Sequence, residues 1–225
     1  MCIRDRNIRH EKRHERSLLS NAHISRLSDN ILSQWLKISK ELSYNTVGLY
    51  YPFDNEASPF EIINYLHSKK KEVLLPVIEN QSKTLSFAKY NFQSKLLANK
   101  YGIYEPKDKE FVDLKHIDIV LVPCVAFNKQ LFRLGMGGGF YDRTFSKKTS
   151  TILISIAYSF QFENISFQEE GEDLAKVRCV NELICFNDPA RNSLVLVDGR
   201  DIDKIGFKSS QEISGGVTQG WSRAT

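Results

Sequence analysis

Four of the chain's twelve glycines fall between Gly135 and Gly139, inside the run Arg133-Leu134-Gly135-Met136-Gly137-Gly138-Gly139-Phe140-Tyr141-Asp142. Glycine reaches positive φ without strain and lets oxygen atoms approach the backbone with no Cβ in the way. The run follows a buried-type apolar segment (117–122, IDIVLV) and a Pro123 turn. It precedes 140–145, which suits the first turns of a helix. Strand, glycine turn and helix, in that order, point backbone N–H groups at an anion. A hydrogen bond to a charged group contributes roughly 1.5–3 kcal/mol, so three or four converging amides suit a polyphosphate. Arg133 and Arg143 flank the loop and can neutralise phosphate charge. Asp142 can hold Mg²⁺ through an oxygen. The spacing is not the Walker pattern, and it lacks the acidic residue that a dinucleotide fingerprint carries about 20 positions on. Composition alone leaves a second reading open, a flexible glycine turn beside a tyrosine packed in the core.

The elements that must position this loop alternate along the chain. Residues 7–19 are charged and helix-compatible, closed by Ser20 or Asn21, and 23–42 carry apolar residues at helical spacing. Residues 46–51 (TVGLYY) form a β-rich run stopped by Pro52. Residues 59–70 read as a helix with Pro59 in its first turn. Strands are expected at 72–78, 84–90, 117–122 and 151–157, the last two as partners. Such alternation predicts a parallel or mixed sheet with helices on both sides. The first six residues, MCIRDR, read as part of no element and as a leader of doubtful origin. Residues 187–225 read as a polar Gly/Ser-rich extension around a short strand-like run at 194–197.

Bulk properties set the class. In 225 residues, 41% are hydrophobic and 26% charged, which is an ordinary globular balance. A net charge of +4 is too small to identify a nucleic-acid binder and suits an anionic small substrate. Cys2, Cys124, Cys179 and Cys185 show no C-x-x-C spacing and read as reduced thiols of a cytoplasmic protein. No apolar run approaches the roughly 20 residues of a membrane span. The five histidines are scattered, and none is assigned catalytic work.

The segment RLGMGGGFYDR, 133–143, resembles the signature of the 5-formyltetrahydrofolate cyclo-ligase family. Co-linear stretches extend the resemblance over roughly 7–186. They are Ile8-Arg9 with Arg13 and Arg16, Leu49-Tyr50-Tyr51-Pro52 through Glu56, Leu75-Pro76-Val77, Tyr101-Gly102-Ile103-Tyr104-Glu105-Pro106, 118–127 (DIVLVPCVAF), and Glu172-Asp173 through Glu182. The resemblance implies an α/β fold, a three-layer α/β/α sandwich with a mostly parallel sheet, similar to the ribose-phosphate isomerase and CoA-transferase group. It also implies conversion of ATP and 5-formyltetrahydrofolate to 5,10-methenyltetrahydrofolate, ADP and phosphate.

On these residues the resemblance implies that Arg133, Leu134, Gly135, Met136, Gly137, Gly138, Gly139, Phe140 and Tyr141 line ATP, with Arg9 closing over it. Arg133 and Tyr141 would carry catalysis. Phe53, Glu56 and Ser58 would contact the folate, which Met136, Gly137, Gly138, Gly139 and Phe140 would also face. Asp142 and Asp173 would hold Mg²⁺. A monomer working on small molecules, without nucleic acid or membrane, is expected. Several positions depart from the family pattern. Asp5 stands for a lysine, Ser58 for an acid, Asn128 for an aspartate, Leu131 for a glycine and Glu172 for a histidine. The phosphate side keeps its residues, and the folate side has changed. Another ATP-dependent phosphotransferase on the same scaffold, or a noncatalytic nucleotide-binding module, therefore stand as alternatives.

Overall fold

A computed structural model of the chain describes residues 3–128, 133–146 and 150–164, and the backbone of 179–180 and 193–197. The helices are α1 (Ile3–Ser17), α2 (Asn21–Ile38), α3 (Phe60–Ser68) and α4 (Phe140–Thr144). The first strands are β1 (Thr46–Gly48), β2 (Glu72–Glu79), β3 (Thr84–Lys89), β4 (Leu96–Ala98), β5 (Tyr104–Pro106) and β6 (Phe111–Val112). They are followed by β7 (Ile119–Pro123), β8 (Ala126–Asn128), β9 (Arg133–Leu134), β10 (Ile152–Ala157), β11 (Phe162–Glu163), β12 (Cys179–Val180) and β13 (Ser193–Val197).

The central sheet runs β12-β13-β10-β7-β1-β2-β3-β6. Its first six strands are mutually parallel, β3 runs against them, and β6 pairs antiparallel with β3. Near-continuous apolar runs in β7 and β10 fit burial on both faces. Alternation then sorts the side chains. Val47, Val73, Ile119, Leu121, Ile154 and Ile156 face a cluster with Leu27, Ile31 and Trp35 of α2 and Ile62, Ile63 and Leu66 of α3. Leu74, Phe87, Val120, Val122 and Leu153 face the other side, against Phe140 and Tyr141 of α4 and the following Phe145. The expected sheet with helices on both faces is present. So is the expected pairing of 117–122 with 151–157, seen as parallel β7 and β10.

Several boundaries differ from expectation. The first helix begins at Ile3, taking in four residues that read as part of no element. Its buried face is Ile8, Lys12 and Arg16, spaced by four, so a search for apolar periodicity passes over it. The second helix stops at Ile38 and tightens into a 3₁₀ turn over Ser39–Glu41. Ser20 is its N-cap, accepting from His23 N. The run at 46–51 pairs only as far as Gly48. Within 187–225, β13 lies beside β10 in the sheet.

A small sheet, β11-β8-β9, packs under α1. Gln161 ties it to the central sheet. Its Nε2 donates to Cys124 O at 2.6 Å and Val125 O at 2.8 Å, and its Oε1 accepts from Tyr158 N at 2.7 Å. All three bonds are buried. Gln161→Leu keeps the volume and leaves two carbonyls and an amide without partners. Each such group costs about 1–3 kcal/mol, so urea denaturation should show a loss of about 3 kcal/mol or more.

Candidate active site

Chain order runs from β1 to β2 toward one side of the sheet and from β7 to β10 toward the other. The order therefore reverses between β1 and β7. In open α/β sheets, ligand crevices form beyond the carboxyl ends of the strands at such a point. Three segments meet there. The 49–58 segment leaves β1, the Pro123 turn and small sheet leave β7, and the Tyr158–Gln161 turn leaves β10.

The glycine run leaves β9 and enters α4. Gly137 and Gly139 have φ of +95° and +63°, which L side chains rarely adopt. A Cβ on Gly138 would stand 2.8 Å from the Phe140 ring. The loop's carbonyls are tied inward. Arg9 Nε donates to Gly135 O at 2.7 Å, and Arg143 Nη2 donates to Gly138 O. Among the described residues, the amides of residues 135–139 donate to nothing within the chain. With two of its carbonyls occupied and its amides unspent, the loop has N–H groups to offer an anion.

Arg133 forms the floor. It is buried, its Nη1 reaches Pro123 O at 3.3 Å, and its Nη2 pairs with Asp142 Oδ1. Its Nε and Arg9 Nη1 are buried with no partner among the described residues. Leu134 is fully buried, so only its backbone can face a ligand. Met136 is exposed at the loop tip. Arg143, expected to neutralise phosphate, is occupied with Gly138 O and Lys83 O. Asp142 is engaged by Arg133 through one oxygen, and among the described residues no three acidic, histidine or cysteine groups gather for a metal. A lone carboxylate still fits Mg²⁺, which binds by one or two carboxylates with substrate phosphates and water. Asp173, Leu131 and Glu172 lie outside the described residues.

The 49–58 segment forms the opposite wall. Glu56 is buried, and its Oε2 accepts from Phe53 N at 3.1 Å. Burial pushes its carboxyl up to about 7, against the opposing pull of Arg16. Tyr141 shares this pocket. Burial and then the nearby Glu56 raise its hydroxyl. Cys124 is a free buried thiol that burial pushes up to about 12, as a reduced core cysteine should be. Phe53 is part-exposed and faces Gly102. Ser58 is buried, and its hydroxyl accepts from Phe60 N at 3.3 Å at the start of α3.

Several aromatic neighbours of these residues carry no site role in the sequence reading. Tyr101 meets Phe140 edge-on with ring centroids 6.0 Å apart, and Tyr104 packs on Tyr51 at 5.1 Å. Tyr158 donates to Glu56 O at 3.1 Å, and Tyr50 donates to Ala57 O. Arg13 and Arg16, named above only in the stretch resembling the family's first helix, reach Asp54 on the 49–58 segment at 2.7 and 2.8 Å. The helical spacing of Arg9, Arg13 and Arg16 was the available signal.

Glu56 gives a stability test. Its folded pKa of about 7 exceeds the ordinary 4.5. The native state then holds a proton that the unfolded chain releases, so stability falls as pH rises from 4.5 to 7 and levels off above. Glu56→Gln removes this dependence. Relative to wild type, the variant should gain on the order of 3 kcal/mol between pH 5 and pH 8 in urea denaturation.

The model of the 5-formyltetrahydrofolate cyclo-ligase family matches residues 3–177. The 5-formyltetrahydrofolate cyclo-ligase of Haemophilus influenzae is 32% identical over 161 residues, covering 70% of this chain and 86% of that one. The NMR structure of Aquifex aeolicus 5,10-methenyltetrahydrofolate synthetase superposes with a TM-score of 0.63 at 28% identity, covering 76% of this chain and 87% of the other. A 5,10-methenyltetrahydrofolate synthetase from Mycoplasma pneumoniae, 22% identical, shares the fold with a TM-score of 0.60 over 86% of this chain and 96% of that one. With the glycine loop, its arginine floor and the acidic wall across from it in one crevice, the chain belongs to the 5-formyltetrahydrofolate cyclo-ligase family.

Proposed function

We propose that the chain converts 5-formyltetrahydrofolate to 5,10-methenyltetrahydrofolate with cleavage of ATP to ADP and phosphate. The observation that carries this reading is the glycine loop. Its amides have no acceptor among the described residues while Arg9 and Arg143 hold two of its carbonyls, and the buried carboxyl of Glu56 lies near Tyr141 at its end. A formyl amide oxygen is a poor leaving group. On this reading it attacks the γ-phosphorus, the bond to ADP breaks, and an imidate-like phosphate forms. N10 then attacks the formyl carbon and loses its proton, the C–O bond breaks, and phosphate departs.

The protein's part in such a transfer is positioning and charge stabilisation. The amides of residues 135–139 and the guanidinium groups of Arg133 and Arg9 would hold the phosphates. Tyr141, beneath the loop, would help place them beside the formyl group. Phe53 would stack on the pterin and Glu56 would accept its N–H groups. The exposed Met136 and Phe140 would close the crevice from the loop side. Ser58 stands where the family has an acid and would contribute through its hydroxyl. Asp142, with Asp173, would hold Mg²⁺, which supplies neutralisation of phosphate charge. The two core clusters on opposite faces of one sheet support a three-layer sandwich of the ribose-phosphate isomerase and CoA-transferase kind. No described helix is long and apolar enough to cross a membrane. The reading adds a monomer in the cytoplasm with small-molecule partners and no nucleic acid.

Purified full-length protein with Mg-ATP and 5-formyltetrahydrofolate should develop the methenyl absorbance band. A folded protein with no ATP-dependent signal overturns the reading, and a thermal shift with ATP but none with any reduced folate points to another phosphoryl acceptor. Gly139→Ala forces a side chain into positive φ and puts its Cβ 2.6 Å from Arg143 Nη1. It should lower kcat/KM by about tenfold or more, in line with strain of about 1–3 kcal/mol. Asp142→Asn should lower turnover and raise the magnesium concentration needed for half-maximal rate.

A further inference from the structure

Two consecutive residues of the 49–58 segment, Asp54 and Asn55, have φ of +54° and +53°. Aspartate and asparagine enter the left-handed region more readily than other side chains, but two such residues in succession still need contacts that hold them there. Apolar packing does not do so here, because Phe53 beside them is part-exposed. Polar contacts hold the turn, and two of them converge on one residue of α1. Asp54 Oδ2 accepts from Arg16 Nη2 at 2.8 Å, and Asn55 Nδ2 donates to Arg16 O at 3.0 Å. Arg13 adds an outer pair to the same Asp54 oxygen at 2.7 Å. Within the turn, Glu56 N donates to Phe53 O at 3.1 Å, which sets Phe53 and Glu56 side by side.

Arg16 is wholly buried, yet its Nε and Nη1 find no partner among the described residues. A buried cation is costly to desolvate and needs anionic partners; Arg16 is hydrogen-bonded to Asp54 and lies near Glu56. The Asp54 pairing falls in the only stretch of the described chain with two adjacent non-glycine residues at positive φ.

We infer that Arg16 is a positioning residue for the folate, acting through Asp54 and Asn55 to hold the turn that presents Phe53 and Glu56. The inference rests on the cyclo-ligase reading for the identity of the ligand, and on geometry alone for the turn. Arg16 touches no reacting atom. It stands two helical turns from Arg9, which holds the glycine loop, so one rod indexes both walls of the crevice.

The test uses full-length protein carrying Arg16→Met, Arg16→Lys, Asp54→Asn or Arg16→Met with Asp54→Asn. Asp54→Asn tolerates the left-handed turn and leaves the core untouched, so it remains informative if Arg16→Met folds poorly. Hydrogen exchange of the 53–57 amides should be faster by about tenfold in Arg16→Met and Asp54→Asn than in wild type, while exchange in β7 and β10 stays unchanged. The KM for 5-formyltetrahydrofolate should rise about tenfold in Arg16→Met, with the KM for ATP within about twofold. Arg16→Lys should recover part of that loss, keeping the charge without the fork. The double variant should be no worse than Arg16→Met alone. Unchanged exchange at 53–57 overturns the inference, as does a parallel rise in both KM values. The exchange measurement needs no substrate. A wild-type enzyme without turnover but with the expected exchange pattern therefore refutes the cyclo-ligase reading and leaves the role of Arg16 in the turn standing.

Discussion

The docking of α1 is made by charge. Its buried face is one isoleucine and two cations, Ile8, Lys12 and Arg16. A buried cation must find an acceptor or lose stability, and this helix takes its acceptors from three remote places. Arg9 takes Gly135 O, Lys12 takes Glu163 at 2.8 Å on β11, and Arg16 takes Asp54. Apolar packing tolerates small slides, whereas ion pairs and hydrogen bonds at 2.7–2.8 Å do not. The helix rises about 1.5 Å per residue, so Arg9 and Arg16 sit on one rigid body about 10 Å apart. The glycine loop and the 49–58 turn are therefore set against each other through α1, besides being set by the sheet.

The sheet supplies the coarse placement. Parallel β1, β7 and β10 end on the same edge, so the segments that follow them must share one crevice whatever their sequences. Gln161 and the tyrosines supply the finer placement. Gln161 holds the turn after β7, while Tyr50 and Tyr158 hold the carbonyls of residues 57 and 56. Each is a side chain bonding to backbone in a buried setting, the kind of contact that fixes a loop without lengthening a strand.

What the sequence reveals follows from what its patterns encode. The apolar runs of β7 and β10 and the glycine cluster are signals of backbone environment, and they lead to the correct sheet and the correct loop. The start of α1 escapes because residues 3–6 lie outside the buried face and carry no periodic signal, and the inward turn of Lys12 and Arg16 escapes because hydrophobic periodicity does not register a buried cation. Strands of two or three residues such as β8, β9 and β11 are too short to show alternation. The partners of Arg16 and Asp142 escape for another reason. Separations of 38 and 9 residues with unlike local structure leave no periodic trace, so only the folded topology reveals them.

The distribution of unmet donors argues for how the crevice uses its charge. Native interiors rarely leave buried donors without partners, and each one costs about 1–3 kcal/mol. Among the described residues, eight buried side-chain nitrogen and oxygen atoms lack a partner, and four of them are guanidinium donors of Arg9, Arg16 and Arg133. Arg133 has one carboxylate partner, Asp142, and Arg9 has only a carbonyl. This leaves cationic side chains beside the glycine loop with donors in reserve. Donors in reserve stabilise an anion that reaches them, which is what the proposed polyphosphate site asks of these arginines.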